Sequence, residues 1–497
     1  MPSTTAAGQE RFLRTRRGAL TLVLLCAVQF LDILDSSIVN VALPSIQRDL
    51  RFSQQNLQWV LSGYLLTYGG FLLLGGRLAD LLGRRRVLVA GLALFAACSL
   101  AGGLAANAGM LVTARIAQGL GAALMAPAAL SILTTTFRDG RDRNTALGVW
   151  GAVSGLAAAA GVFLGGGLSA GPGWRWVLLV NLPVCLLALA ATFRLIEGDR
   201  RTLRRAGFDA RGAVLATAGM LLLLHALIEA PDRGWATART LGELATAGLL
   251  LALFLANEQR ARNPLAPLSI LRVRGLAAAD ATGLIAFAGF YSMFFFLTLY
   301  MQNVLHYSPV TAGSAYLPVT AGIAIAAGAS ARLFGRVGTR PVIVAGALLA
   351  SAGIYWLSRI PLHGSYPVHL LPGLLLMSLG LGAVFVAVTT AANAGVPTHQ
   401  AGLAAGLLNT SQQLGAALGL AIFSALATAQ THHLLATGSP LPAALTGGYH
   451  RALLAASLFL LAAAVIALRA AQSRGEPHTG PGPVDQPPIP LSLGEAR

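Results

Sequence analysis

The chain has 497 residues, 55 % apolar and only 11 % charged, with a formal net charge of +17. No soluble domain of this size is so poor in charge, so the composition excludes that class and points to an all-α polytopic membrane protein. All 35 basic residues are Arg, and nearly all fall in short stretches between apolar runs, where they set orientation and meet anionic lipid rather than nucleic acid.

A membrane-crossing helix needs about 20 apolar residues. Fourteen candidates follow in order, near 18–42, 56–80, 87–105, 110–134, 144–167, 175–194, 208–228, 239–257, 276–301, 310–333, 340–358, 369–392, 402–428 and 450–470. The N-terminus and every second connection are rich in Arg: Arg84 to Arg86, Arg138 to Arg143, 194–211, 260–274, Arg332 to Arg340, and the tail from Arg469. The alternate connections hold few, among them Arg48, Arg51, Arg175, Arg359 and Arg451. This alternation predicts both termini in the cytoplasm. The first run carries two acids and lacks an Ala-x-Ala exit, so it reads as a retained span and not a signal peptide.

Span 1 holds Asp32 and Asp35. An ionised carboxylate in hydrocarbon is expensive, so it faces the interior, pairs, or takes a proton. The two are three residues apart and share a helix face. That suits a proton carrier; a structural acid satisfied by a neighbouring helix is the plainer reading of either. Between spans 2 and 3 runs Gly75-Gly76-Arg77-Leu78-Ala79-Asp80-Leu81-Leu82-Gly83-Arg84-Arg85-Arg86. Gly83 permits a tight turn, Gly76 a close neighbouring helix, and Asp80 can pair with a guanidinium or a helix N-terminus.

Span 4 contains Arg115, Gln118 and Gly119. A lone Arg in an apolar span needs a partner, a water-filled cavity, or a path for snorkelling. Asp35 and Arg115 lie about seven and about five residues from the outer ends of their spans. At roughly 1.5 Å per residue their depths agree within a few Å, so an ion pair is feasible. Span 5 carries Gly148, Gly161, Gly165 and Gly166, which allow close helix packing with or without a special role. The polar stretch 195–211 reads as a cytoplasmic connection. His225 and Glu229 share one face of span 7, too few ligands for a metal.

Span 9 is aromatic, with Phe287, Phe290, Tyr291 and Phe294 on one face. Such a stripe packs or meets lipid, or lines a cavity for flat apolar compounds and cations. Asp280 lies near its cytoplasmic start and reads as a second titrating acid or, more plainly, as an interfacial one. Gly328 to Arg340 faintly repeats the connection after span 2, which implies two related six-helix bundles, spans 1–6 and 9–14, with spans 7 and 8 as an extra central pair. In span 13, Asn409, Gln412 and Gln413 are polar at membrane depth; they contact substrate or bond helices together. Residues 472–497 are rich in Pro, Gly and charge and read as a disordered tail. Cys26, Cys98 and Cys185 lie in apolar runs and read as small hydrophobes. No metal spacing, catalytic triad or phosphate-binding loop occurs, so neither an enzyme nor an ATP-driven pump is expected.

Several of these strings resemble the major facilitator superfamily. Gly75 to Arg86 is similar to its signature between spans 2 and 3. Leu31-Asp32 through Leu43-Pro44, Arg115-Ile116-Ala117-Gln118-Gly119, Asn181-Leu182-Pro183, Leu299-Tyr300-Met301-Gln302 and Gly406 to Gly415 look like its fourteen-span drug–proton antiporters. The resemblance implies the major facilitator fold, with units 1–195, 196–275, 276–471 and a tail 472–497. It implies proton coupling through Asp35 with Arg115, and with Asp32 as an addition to the pattern. It also implies a conformational switch at Gly76, Asp80, Gly83, Arg84 and Arg85. Gly148, Gly161, Gly165 and Gly166 fall on the antiporter motif, although Val162 replaces its Pro and Ala157 one of its Gly. The expected substrate cavity holds Gln118, Phe287, Tyr291, Phe294, Asn409, Gln412 and Gln413. The function implied is proton-driven export of amphipathic drugs or antibiotics by a monomer in a bacterial cell membrane, with no cofactor besides protons. A dedicated exporter of one self-made antibiotic or metabolite is the alternative; the intramembrane Asp–Arg set argues against a receptor or scaffold.

Overall fold

The structure, a computed structural model, describes residues 13, 15–137, 140–198, 209–261, 264, 275–393 and 401–470. The tail expected over 472–497 and most of the 195–211 connection lie outside these, as do the side chain of Asp80 and the surroundings of Gly148.

In hydrocarbon a backbone must satisfy its own polar groups, so the apolar runs fold as helices, and the described residues contain no strand. The first half holds α1 (Arg16–Leu50), a single turn α2 (Gln54–Leu57), α3 (Trp59–Leu82), α4 (Arg84–Gly103), α5 (Ala108–Thr136), α6 (Gly140–Ala170), α7 (Arg175–Leu179) and α8 (Asn181–Leu195). A hairpin follows, α9 (Ala210–Arg233) and α10 (Ala238–Arg260). The second half holds α11 (Leu276–Leu299) with a π-helical end at Tyr300–Val304, α12 (Pro309–Ser314), α13 (Leu317–Val337), α14 (Thr339–Leu357), α15 (Leu371–Asn393), α16 (Ala401–Ala436) and α17 (Leu441–Ala467). Twelve helical stretches among the described residues are long and apolar enough to cross a membrane. Beyond those twelve, α3 and α6 have 24 and 31 residues, lengths of about 36 and 46 Å that also suffice.

Three helices overrun the apolar runs that announced them. α1 continues past Pro44 to Leu50, because Asp49 is held by Trp174 (Nε1, 2.9 Å) and Arg175 (Nη1, 2.7 Å). α16 continues through polar residues to Ala436, and α17 begins at Leu441 behind Pro440 and Gly438, whose φ is +85°. Arg48 and Arg451 are therefore helical and not in connections. Hydropathy marks the buried length of a helix, whereas capping residues mark its ends. The stretch Gly75 to Arg86 is likewise almost all helix. Its turn is Gly83 alone, with φ +102° between α3 and α4. The close approach falls on Gly75, where a Cβ would overlap the Ala123 carbonyl, and not on Gly76, where it would meet Pro127 at an ordinary 3.7 Å.

α1 packs on α6, and α5 on α3 and α4; α11 packs on α16 and α17, and α15 on α13 and α14. The two groups meet along α3–α16 and α6–α12. Gly69 of α3 sits against the Gln413 stem, and Gly166 and Gly313 bring α6 and α12 into backbone contact. Gln302 donates to the Val41 carbonyl at 2.9 Å across the same seam. The α9–α10 hairpin lies against both α3 and α16.

Candidate functional site

Inside the first group, α1, α4, α5 and α8 converge on Asp35. It is 0 % exposed and Arg115 is 1 % exposed. Arg115 Nη1 lies 2.6 Å from Asp35 Oδ2, the pair that matching depths made feasible. Gln118 Nε2 (2.9 Å) and Asn181 Nδ2 (2.6 Å) both donate to Asp35 Oδ1. Ser99 accepts from Gln118 at 2.8 Å and from Asn181 at 3.3 Å. Arg115 is held further by the Val60 carbonyl (3.0 Å) and by Gln118 Oε1 (2.7 Å). A carboxylate dry on all sides persists only with such a set of donors. Gln118, expected at the substrate cavity, is instead a buried partner of Asp35; three residues after Arg115 on α5, it faces the same acid.

Asp32 is 2 % exposed and belongs to a different set. Tyr64 (3.1 Å) and Tyr68 (2.7 Å), one turn apart on α3, donate to its two oxygens. From the second group, Tyr291 reaches the same place, close to Ser36 and Asp32. Behind Tyr291 stand Phe287, Phe290 and Phe294, with ring centroids 4.9–6.2 Å apart in sequence along α11. Phe385 of α15 closes on Phe287 at 4.7 Å. All five rings are only half-buried. The result is an aromatic wall facing an acid, a surface suited to flat amphipathic compounds.

The span 13 residues have separate surroundings. Asn409 is exposed, Gln412 lies near Gly283 of α11, and Gln413 lies at the α3 seam. Gly161 and Gly165 press α6 onto α1, since a Cβ at either would overlap Ser37 or the Ile38 carbonyl. Asp280 is 7 % exposed, and among the described residues its Oδ1 has no partner. His225 bonds Glu243 of α10 at 3.0 Å, and Glu229 pairs with Arg233. Among the described residues no group of three or more His, Cys, Asp or Glu could hold a metal ion.

Sequence reasoning missed Tyr64, Tyr68, Ser99 and Phe385, and gave Asn181 no role. The signal for the tyrosines was the i, i+4 spacing of two phenols in an apolar span, since a buried hydroxyl needs an acceptor. Ser99 and Phe385 carry no such mark.

Relatives are numerous. The chain is 42 % identical over 464 residues to the puromycin resistance protein pur8 of Streptomyces alboniger, covering 92 % of each chain. It is 38 % identical to the cephamycin export protein CmcT of Amycolatopsis lactamdurans, covering 93 % of this chain and 94 % of that one. With the multidrug resistance protein Stp of Mycobacterium tuberculosis it shares 36 % identity over 83 % of this chain and 76 % of that one. A bacterial homolog of the human lysosomal transporter Spinster, solved inward-facing and occupied, has the same fold, with a TM-score of 0.65 at 16 % identity over 93 % of this chain and 97 % of that one. The family model described as Major Facilitator Superfamily matches residues 25–420, and the chain belongs to that superfamily.

Proposed function

We propose that the protein is a proton-coupled exporter of amphipathic drugs or antibiotics, working by alternating access between two six-helix units, 1–195 and 276–471. The buried Asp35–Arg115 pair carries this reading. A fully enclosed charge pair in a membrane helix bundle costs stability, and a coupling role gives a reason for it. The aromatic wall facing Asp32 supports a flat, partly apolar substrate. Relatives named for puromycin, cephamycin and multidrug resistance support antibiotics as its class, and the single-drug names favour a narrow range as the second reading. The seam contacts α3–α16 and α6–α12 are those that must part on opening to the other side. Gly76, Asp80, Gly83, Arg84 and Arg85 form the switch that times this step. The protein acts as a monomer, is not an enzyme, and needs no cofactor besides protons.

With a pH difference across proteoliposome membranes, inside acidic, puromycin is expected to accumulate in vesicles holding protein of inverted orientation. Accumulation that ignores the pH difference refutes the coupling; no accumulation of puromycin or any other aromatic antibiotic refutes the substrate class.

We further propose fourteen spans in a bacterial cell membrane, with both termini in the cytoplasm, from the Arg alternation. An engineered Leu203→Cys is then expected to react with an impermeant maleimide only after the membrane is opened. The three native cysteines are all buried and give little background. Labelling in intact cells contradicts the orientation.

A further inference from the structure

Two carboxylates one turn apart have separate partners, yet one side chain touches both sets. Tyr64 donates its hydroxyl to Asp32 Oδ1 at 3.1 Å. The face of the same ring covers the Arg115 guanidinium, with 4.3 Å from Cζ to the ring centroid. Arg115 uses its in-plane donors on Asp35, Gln118 and the Val60 carbonyl. Among the described residues its Nη2 has no hydrogen-bond partner, so the ring above the plane is a substantial part of what holds that end. Tyr64 is 1 % exposed.

The backbone beneath it is fixed. At Gly119 of α5 a Cβ would overlap the Tyr64 carbonyl and the Thr67 hydroxyl, and Thr67 donates to the Ile116 carbonyl at 2.7 Å. α3 and α5 are thus locked at this level. A change at Asp32 is absorbed by the Tyr64 side chain or by α1, and both end at Arg115–Asp35.

We propose that Tyr64 is a positioning residue that ties the state of Asp32, beside the aromatic wall, to the Arg115–Asp35 pair behind it. When a proton or a substrate group takes Asp32, the phenol loses its charged acceptor and its ring tilts from the guanidinium. Arg115 then shifts relative to Asp35, and the second carboxylate feels the event. No bond is made or broken in this step, and the phenol keeps its proton. This rests on the proton-coupling reading above.

Other groups face these carboxylates. Around Asp32 they are Tyr68 from α3 and Tyr291 from α11. Around Asp35 they are Ser99 from α4, Arg115 and Gln118 from α5, and Asn181 and Cys185 from α8. α6, packed on α1, brings Gly161 and Gly165 there and no charge. Direct repulsion between Asp32 and Asp35 is the competing route and does not involve Tyr64.

The two routes separate in a double-mutant cycle on the purified full-length protein. The readout is the infrared band of the protonated carboxyl of Asp35, assigned by its loss in Asp35→Asn and followed across pH without substrate. Asp32→Asn is expected to change the Asp35 proton affinity about tenfold, a coupling typical of groups that share partners. In the Tyr64→Phe background, which keeps the ring over Arg115, the same substitution is expected to change it less than about threefold. Tyr64→Leu, which removes the ring too, is expected to move the Asp35 midpoint even with Asp32 present. An equal Asp32→Asn shift with and without the Tyr64 hydroxyl overturns the inference and leaves the proton reading standing. An Asp35 carboxyl that never titrates overturns both. Native-like circular dichroism of Tyr64→Phe, with the reduced shift, supports the inference.

Discussion

Asp35→Asn is expected to reduce gradient-driven export to the level of empty vesicles while substrate binding stays near the unsubstituted level. Asp35 receives three donors, from Arg115, Gln118 and Asn181, all of which a carboxylate can accept. An Asn there keeps the shape, accepts from Arg115, and turns an amide nitrogen toward the other two. Asn181 can meet it by reversing its own amide, since its Oδ1 has no partner in the present arrangement. The fold therefore survives, and what disappears is the change of charge. A carrier that cannot change charge cannot convert a pH difference into drug movement, although it can still exchange drug for drug. Such exchange, measured with equal pH on both sides, is the control that the protein remains intact. Asp35→Glu is expected to retain part of the driven activity, and Asp32→Asn to be milder because its site is shared with Tyr64, Tyr68 and Tyr291. If Asp35→Asn still concentrates drug under a pH difference, Asp35 is not the coupling group, and Asp280, buried with an unpartnered oxygen, takes its place as the first residue to test.

Much of this was legible in the chain because membranes simplify the code. Apolar length gives the helices, and the absence of water forces each intramembrane charge to find a partner. Asp35 and Arg115 could be paired from depth alone for that reason. What depth cannot give is azimuth. Gln118 reads as a cavity residue until α4 and α8 are in place, and Ser99 and Asn181 then show that it faces inward. Asp32 and Asp35 read as one pair on one face, yet a turn of three residues is enough to put one against α3 and the other against α5 and α8. Close packing was misplaced by a single residue at Gly75 and Gly76, since neighbours on a helix point about 100° apart. The helix ends at Leu50, Ala436 and Leu441 depend on the ion pair of Asp49 with Arg175 and on turn residues that hydropathy does not weigh.

Arg115→Ala is expected to have the second large effect, and to act through stability as well as coupling. The substitution deletes the ion pair, the bond to the Val60 carbonyl and the ring contact with Tyr64. An Asp35 left ionised in a dry site with no cation would cost about 3–5 kcal/mol. The site escapes that cost by staying neutral, with the carboxyl protonated on both sides of the membrane. Export driven by a pH difference should then fall to the level of Asp35→Asn, while drug exchange at equal pH continues. The residual cavity, and the donors of Gln118 and Asn181 left facing a neutral acid, still lower the melting temperature of the detergent-solubilised protein. The decisive comparison is the double variant Arg115→Ala/Asp35→Asn. If the pair is a coupled unit, the second substitution adds almost nothing to the transport loss and recovers part of the melting temperature, because Asn is neutral without having to hold a proton at neutral pH. Arg115→Lys keeps a charge but loses the planar fork that reaches Asp35, Gln118 and Val60 together, so it should fall between Arg115→Ala and the unsubstituted protein. Additive losses of melting temperature in the double variant would mean that Arg115 and Asp35 act independently and that their 2.6 Å contact is structural.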